Sequence, residues 1–196
     1  RKIFDANGSY LFPVGDATGT TEYSPVTLNF TSGAYAANSY AAVRVTDAKH
    51  PGNASAANYL TRYWTVTSSG ISAFSCDVTG TFAAADVNGL TTNIAAGKWN
   101  GAVPWQKFGT ATASTLTAAG VTSFSDFTGI TDAPPVVTIT ADPGLTVCQN
   151  STLTLTANPE GDPDFTYLWS PGLATTQAIN PSTAGIGTTT YTVTVT

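Results

Sequence analysis

Tyr191-Thr192-Val193-Thr194-Val195-Thr196 alternates an apolar or aromatic side chain with threonine at every step. Residues two apart share one face of a strand, so Tyr191, Val193 and Val195 turn inward while three threonines face water. Thr152-Leu153-Thr154-Leu155-Thr156-Ala157 repeats the pattern, with Leu153, Leu155 and Ala157 as its apolar row. Strands with one dry and one wet face pack as two antiparallel sheets around a shared core. These two stretches set the expectation of a β-sandwich for the C-terminal part of the chain.

Working outward, residues 136–141, 145–147, 165–170 and 177–180 supply further short β-type runs around that pair. Asp132-Ala133-Pro134-Pro135 precedes them. Consecutive prolines hold the backbone extended, so this reads as a short, stiff spacer. The expected organisation is two tandem antiparallel β-sandwich domains, 1–133 and 134–196. In the longer one, strands are expected at residues 10–14, 26–31, 40–46, 60–67, 71–82, 98–108, 114–117 and 121–127. Turn residues separate them, among them His50-Pro51-Gly52-Asn53, Ser69-Gly70, Asn88-Gly89 and Asn100-Gly101. No segment carries sustained helical spacing with caps, and the alanine-rich pieces are too short for more than a turn of helix.

Composition agrees with an all-β chain. Of 196 residues only 10% are charged, against 42% hydrophobic, where ordinary domains carry roughly 25% charged residues. Threonine, the commonest residue, branches at Cβ and suits a pleated surface. A formal charge of −5, with 7 scattered Lys and Arg, excludes a phosphate-binding patch and a polybasic membrane contact. No apolar run approaches the roughly 20 residues of a membrane-spanning helix. Sparse lysine, absent methionine and abundant threonine suit an extracellular protein. Arg1-Lys2-Ile3-Phe4-Asp5 starts in mid-pattern with no signal-peptide core, so the chain reads as a processed or excised piece of something longer.

Three blocks of the second domain carry a family resemblance: Val147-Cys148-Gln149-Asn150-Ser151-Thr152-Leu153-Thr154-Leu155-Thr156-Ala157, then Phe165-Thr166-Tyr167-Leu168-Trp169-Ser170-Pro171-Gly172, then Thr189-Thr190-Tyr191-Thr192-Val193-Thr194-Val195-Thr196. In that order they resemble the PKD/Ig-like modules repeated in very large surface proteins of Bacteroidetes-type bacteria. The resemblance implies that Trp169 packs in the core and that Cys148 is structural, paired with a cysteine beyond Thr196. A disulfide between Cys76 and Cys148 stays open as well, since nothing forces its geometry. In the first domain, Tyr10-Leu11-Phe12-Pro13-Val14-Gly15, Leu60-Thr61-Arg62-Tyr63-Trp64-Thr65-Val66, Asp86-Val87-Asn88-Gly89 and Val121-Thr122-Ser123-Phe124-Ser125-Asp126-Phe127-Thr128 resemble β-rich repeat modules of type IX-exported adhesins. What this implies is an adhesin, filament or sheath on the outer surface or outside the cell. The partners implied are copies of the chain itself or neighbouring modules of the same protein.

Catalytic parts are few. His50, the only histidine, sits in a turn, and no G-x-S-x-G marks a nucleophile for it. Most acids, including Asp16, Asp47, Asp86 and Asp132, fall in turns, where aspartate ordinarily bonds its own backbone. No cofactor is expected, with one candidate exception: Glu160, Asp162 and Asp164 cluster on a Gly/Pro loop and could hold Ca²⁺. Trp99 and Trp105 flank an irregular segment beside Lys98, Gln106 and Lys107. Exposed indoles with such neighbours stack on sugars, so a carbohydrate-binding module with polysaccharide as partner is the alternative function. Trp64 alternates with Leu60 and Val66 and is a core candidate. Arg1, Lys2, Ile3, Phe4 and Asp5 lack a visible hairpin partner and are a candidate strand donated to a neighbouring copy. N-x-S/T sequons at Asn7, Asn29, Asn53 and Asn150 are expected by chance in so Asn/Thr-rich a chain.

Overall fold

The computed structural model describes residues 1–102, 104–132, 135–160 and 165–196. The chain is nearly all β, and every strand pairing among these residues is antiparallel. It divides into two compact units, Arg1–Ala133 and Pro134–Thr196.

Unit 1 holds β1 (Lys2–Ile3), β2 (Gly8–Phe12), β3 (Gly15–Asp16), β4 (Glu22–Tyr23), β5 (Val26–Thr46), β6 (Tyr59–Leu60), β7 (Tyr63–Thr81), β8 (Val87–Asn88), β9 (Ile94–Lys98), β10 (Gln106–Thr110), β11 (Thr115–Val121) and β12 (Asp126–Thr131). Strands β5 and β7 pair from Val26↔Gly80 to Thr46↔Tyr63. Near Val26, β2 flanks β5 and β11 flanks β7; near Thr46, β1 flanks β5 while β12, β9 and β10 extend from β7. One long pair therefore serves two sets of neighbours.

Irregular pairing makes that change of neighbours possible. In β7, Trp64 and Val66 are buried, then Ile71, then Phe74, Cys76 and Val78, so the inward phase slips twice. Gly70 (φ +72°) and Ala73 (φ +47°) absorb the slips in left-handed backbone. Opposite them, β5 shifts register between Tyr35 and Tyr40, with Asn38 at φ +61°. Sequence periodicity cuts each strand in two at these places. The structure instead runs 26–31 into 40–46, and most of 60–67 into 71–82, because the ladder resumes after each bulge.

A further correction concerns the N-terminus. Arg1, Lys2, Ile3, Phe4 and Asp5 are not a free donor strand. Lys2 and Ile3 pair with Ala41 and Tyr40, the Phe4 amide donates to the Ser39 carbonyl, and the Phe4 ring is buried against Phe30. Arg1 also lies over the Tyr40 ring. The segment's hydrogen bonds are spent at home.

Unit 2 holds β13 (Val137–Asp142), β14 (Thr154–Pro159), β15 (Tyr167–Ser170), β16 (Ala178–Ile179) and β17 (Thr192–Val195). They form one sheet in the order β13-β14-β16 and a second in which β15 pairs β17. Leu155 and Ala157 from the first and Trp169 from the second make its buried centre. The strand expected at 145–147 does not form. Pro143 and Gly144 precede it, no partner pairs with it among the described residues, and Leu145 stands 91% exposed.

Candidate functional site

Arg62 lies in the two-residue link between β6 and β7 and is fully buried. Its guanidinium meets carboxylates from four separate places. Nε donates to Asp86 Oδ2 at 2.9 Å, Nη1 donates to Asp16 in β3, Nη2 donates to Glu22 in β4, and Asp47, just past β5, lies 3.6 Å from Nη2. The planar fork of five donors fits several acids at once, which lysine could not do. Burial works against the charge on Arg62, but the hydrogen bonds it donates to Asp16 and Asp86, with their negative charge, outweigh it and hold the proton more tightly than in an ordinary arginine. The same hydrogen bond from Arg62 keeps the Asp16 carboxyl below its usual 3.8. Asp86 Oδ2 also accepts from the Ala83 amide, so the turn Ala84–Asp86 is fastened to the hub. The Arg62 carbonyl accepts from Thr128 Oγ1 of β12 at 2.6 Å. Glu22, Asp47 and Asp86 lie close enough to ligate a cation, but Arg62 already occupies their centre.

His50 anchors a second cluster. It is 4% exposed, and its ring lies 4.9–5.3 Å from the rings of Tyr63, Trp99 and Trp105. The Gly52 amide donates to Nδ1 at 3.0 Å, which makes Nδ1 the acceptor and places the ring proton on Nε2, 3.1 Å from Asp126 Oδ2. Both ring nitrogens are thus engaged, and among the described residues no serine hydroxyl is bonded to either. The turn reading of His50 holds for the backbone, since Asn53 donates to its carbonyl; the ring, however, is interior.

Trp99 and Trp105 do not form an open sugar platform. Their rings pack on each other at 4.8 Å, Trp105 is buried, and its Nε1 donates to the Gly52 carbonyl. Gly52 lies so close to the Trp99 ring that a Cβ there would come within 2.6 Å of it. Trp105 is spent on internal packing, and Trp99, half-buried, packs against it and against His50.

Trp64 is buried in unit 1 with Nε1 donating to the Ser24 carbonyl, and Trp169 is buried in unit 2 with Nε1 donating to the Thr176 carbonyl. Glu160, just past β14, extends the pairing with β13 by donating its amide to the Val136 carbonyl; Asp162 and Asp164 lie outside the described residues. Of the sequon residues, Asn53 is buried and bonded on both amide atoms, to Gly129 and Ser55, leaving no room for a glycan.

Cys76 and Cys148 are both free thiols. Burial pushes Cys76 up to about 12, whereas Cys148 is exposed. Since the thiolate is the reactive form, a thiol reagent at neutral pH is expected to label one cysteine per native chain and two after denaturation. Equal labelling of both in the native protein would contradict this burial.

Neither the Arg62 hub nor the histidine nest was legible beforehand. The hub's acids lie far apart in sequence and each looks like a turn residue. Comparison with protein-family models, with curated proteins and with solved structures returned no match to this chain.

Proposed function

We propose that the chain is a non-enzymatic structural or adhesive segment of an extracellular bacterial surface protein, built as two β-sandwich modules. The observation that carries this reading is the Arg62 hub. The groups that would equip an active site in unit 1 are turned inward and used as bracing: one guanidinium ties β3, β4, the end of β5, the start of β7 and the turn Ala84–Asp86. His50 and Asp126 likewise fasten the turn at Gly52 to β12. Strand β12, the last of unit 1, is hydrogen-bonded on both sides, to β7 and to β9. Force applied through it must shear two ladders together. The resemblance of the second unit to PKD/Ig-like modules of surface proteins supports the same placement, with copies of the chain or adjoining modules as partners.

Single-molecule pulling through the two termini tests the reading. Unit 2, with the smaller core, is expected to extend first, and unit 1 to hold to higher force. Its release then adds up to ~3.6 Å per residue freed. A unit 1 that extends before unit 2, or at forces indistinguishable from an unfolded chain, would count decisively against a mechanical role.

A further inference from the structure

Lys98, the last residue of β9, is 5% exposed, and its Nζ donates to Asn100 Oδ1 at 3.0 Å. Among the described residues no carboxylate pairs with it. Burial lowers its pKa, as expected of a cation lacking a counter-ion. Asn100 and Gly101 are both exposed and lie outside any strand; Gly101 has φ +90° and open space where a Cβ would stand. The chain contains a second Asn-Gly pair with the opposite surroundings. Asn88 is held in β8 opposite Tyr59, and Gly89 sits so close to Asn58 that a Cβ there would come within 2.5 Å of its Oδ1.

We propose that Asn100 is a self-modification site, at which the Gly101 backbone nitrogen closes on Asn100 Cγ while the Lys98 ammonium stands at the oxygen where charge develops. Gly101 N gives up its proton and bonds to Cγ. The Cγ–Nδ2 bond breaks and Nδ2 leaves as ammonia with that proton. Solvent water then opens the succinimide ring at one of its two carbonyls, giving aspartate or isoaspartate. In the tetrahedral intermediate Oδ1 carries the negative charge, and a preorganised cation already in hydrogen-bond contact stabilises charge at that point. Among the described residues beyond its chain neighbours no heavy atom lies within 4 Å of where a Gly101 Cβ would stand, which leaves the main chain room to turn toward Cγ, whereas Asn88 is held in the β6–β8 ladder and Gly89 is crowded by Asn58. The product supplies what Lys98 lacks, a carboxylate within reach of a buried ammonium.

The test is prolonged incubation of the whole chain in warm neutral buffer, folded and in denaturant, followed by peptide mass spectrometry. Trypsin releases residues 99–107, cut after Lys98 and Lys107, which isolates the site. Asn100 is expected to convert about tenfold faster in the folded chain than in the denatured one, and Asn88 more slowly when folded. A folded rate at Asn100 equal to or below the denatured rate overturns the proposal. In a folded Lys98→Met variant the acceleration is expected to vanish, while Lys98→Arg retains most of it; an unchanged rate in Lys98→Met would remove Lys98 from the step. If Lys98→Met does not fold, the folded-against-denatured comparison in the native sequence decides alone.

Discussion

Replacing Arg62 with methionine is expected to unfold unit 1 or bring it close to unfolding. Removing one partner of a buried ion pair typically costs 3–5 kcal/mol, because the other charge is left buried without compensation. Here the removal strands four carboxylates at once, of which Asp86 is nearly inaccessible. A domain's whole stability is about 5–15 kcal/mol, so the melting temperature should fall by about 10 °C or more. The cause is separable from loss of side-chain volume. If charge stranding is responsible, Asp86→Asn added to Arg62→Met should cost less than the sum of the two single substitutions. Strict additivity, or a melting temperature unmoved by Arg62→Met, would show that the hub is incidental.

The hub also fixes the sign of an acid dependence. The folded pKa of Asp16 lies below its ordinary value of 3.8 because Arg62 donates to the charged form. Its contribution to stability is therefore complete above that ordinary value and is lost as pH falls through the lower folded value. Wild-type unit 1 should lose stability in that acid window. The Arg62→Met variant should show a flatter limb there, since the group that holds Asp16 charged is gone.

These expectations rest on contacts that local sequence patterns do not encode. All-β character was legible in the alternation of Leu153, Leu155 and Ala157 and in the threonine excess, because strand period is a local property. Bulges are not local in the same way. The stretch Gly33-Ala34-Tyr35-Ala36-Ala37-Asn38 breaks the apolar rhythm and reads as a loop between strands, while the ladder to β7 spans it and resumes. Asp16 shows why the hub was hidden. It does bond its own turn, accepting from the Thr18 amide, so the turn reading of its sequence was sound. What sequence lacked was any sign that the same carboxyl also receives Arg62 across the fold. His50 repeats the lesson, with its carbonyl in a turn and its ring among three aromatics brought from β7 and the segment after β9.

In unit 2, Trp169→Ala is expected to abolish folding of that unit while leaving unit 1 intact. A domain of ~60 residues is marginal by surface-to-volume scaling, and Pro134–Thr196 is of that size. Among the described residues its buried hydrophobic side chains are Leu155, Ala157 and Trp169, and the tryptophan is far the largest. Truncating a buried tryptophan costs ~3–5 kcal/mol, comparable with everything such a unit has. The loss also orphans the Thr176 carbonyl that accepts from Nε1. Trp169→Phe keeps most of the apolar contact and forfeits that hydrogen bond, so it should cost only ~1–2 kcal/mol and leave the unit folded. Trp169 is the sole tryptophan of unit 2, the other three lying at 64, 99 and 105. Backbone amide spectra or limited proteolysis should then show residues beyond 134 lost and the strands of unit 1 protected. A single unchanged transition in Trp169→Ala would mean that the centre of unit 2 lies elsewhere. Loss confined to unit 2 would mean that each unit is stabilised by its own core, the property that lets such modules be strung in series.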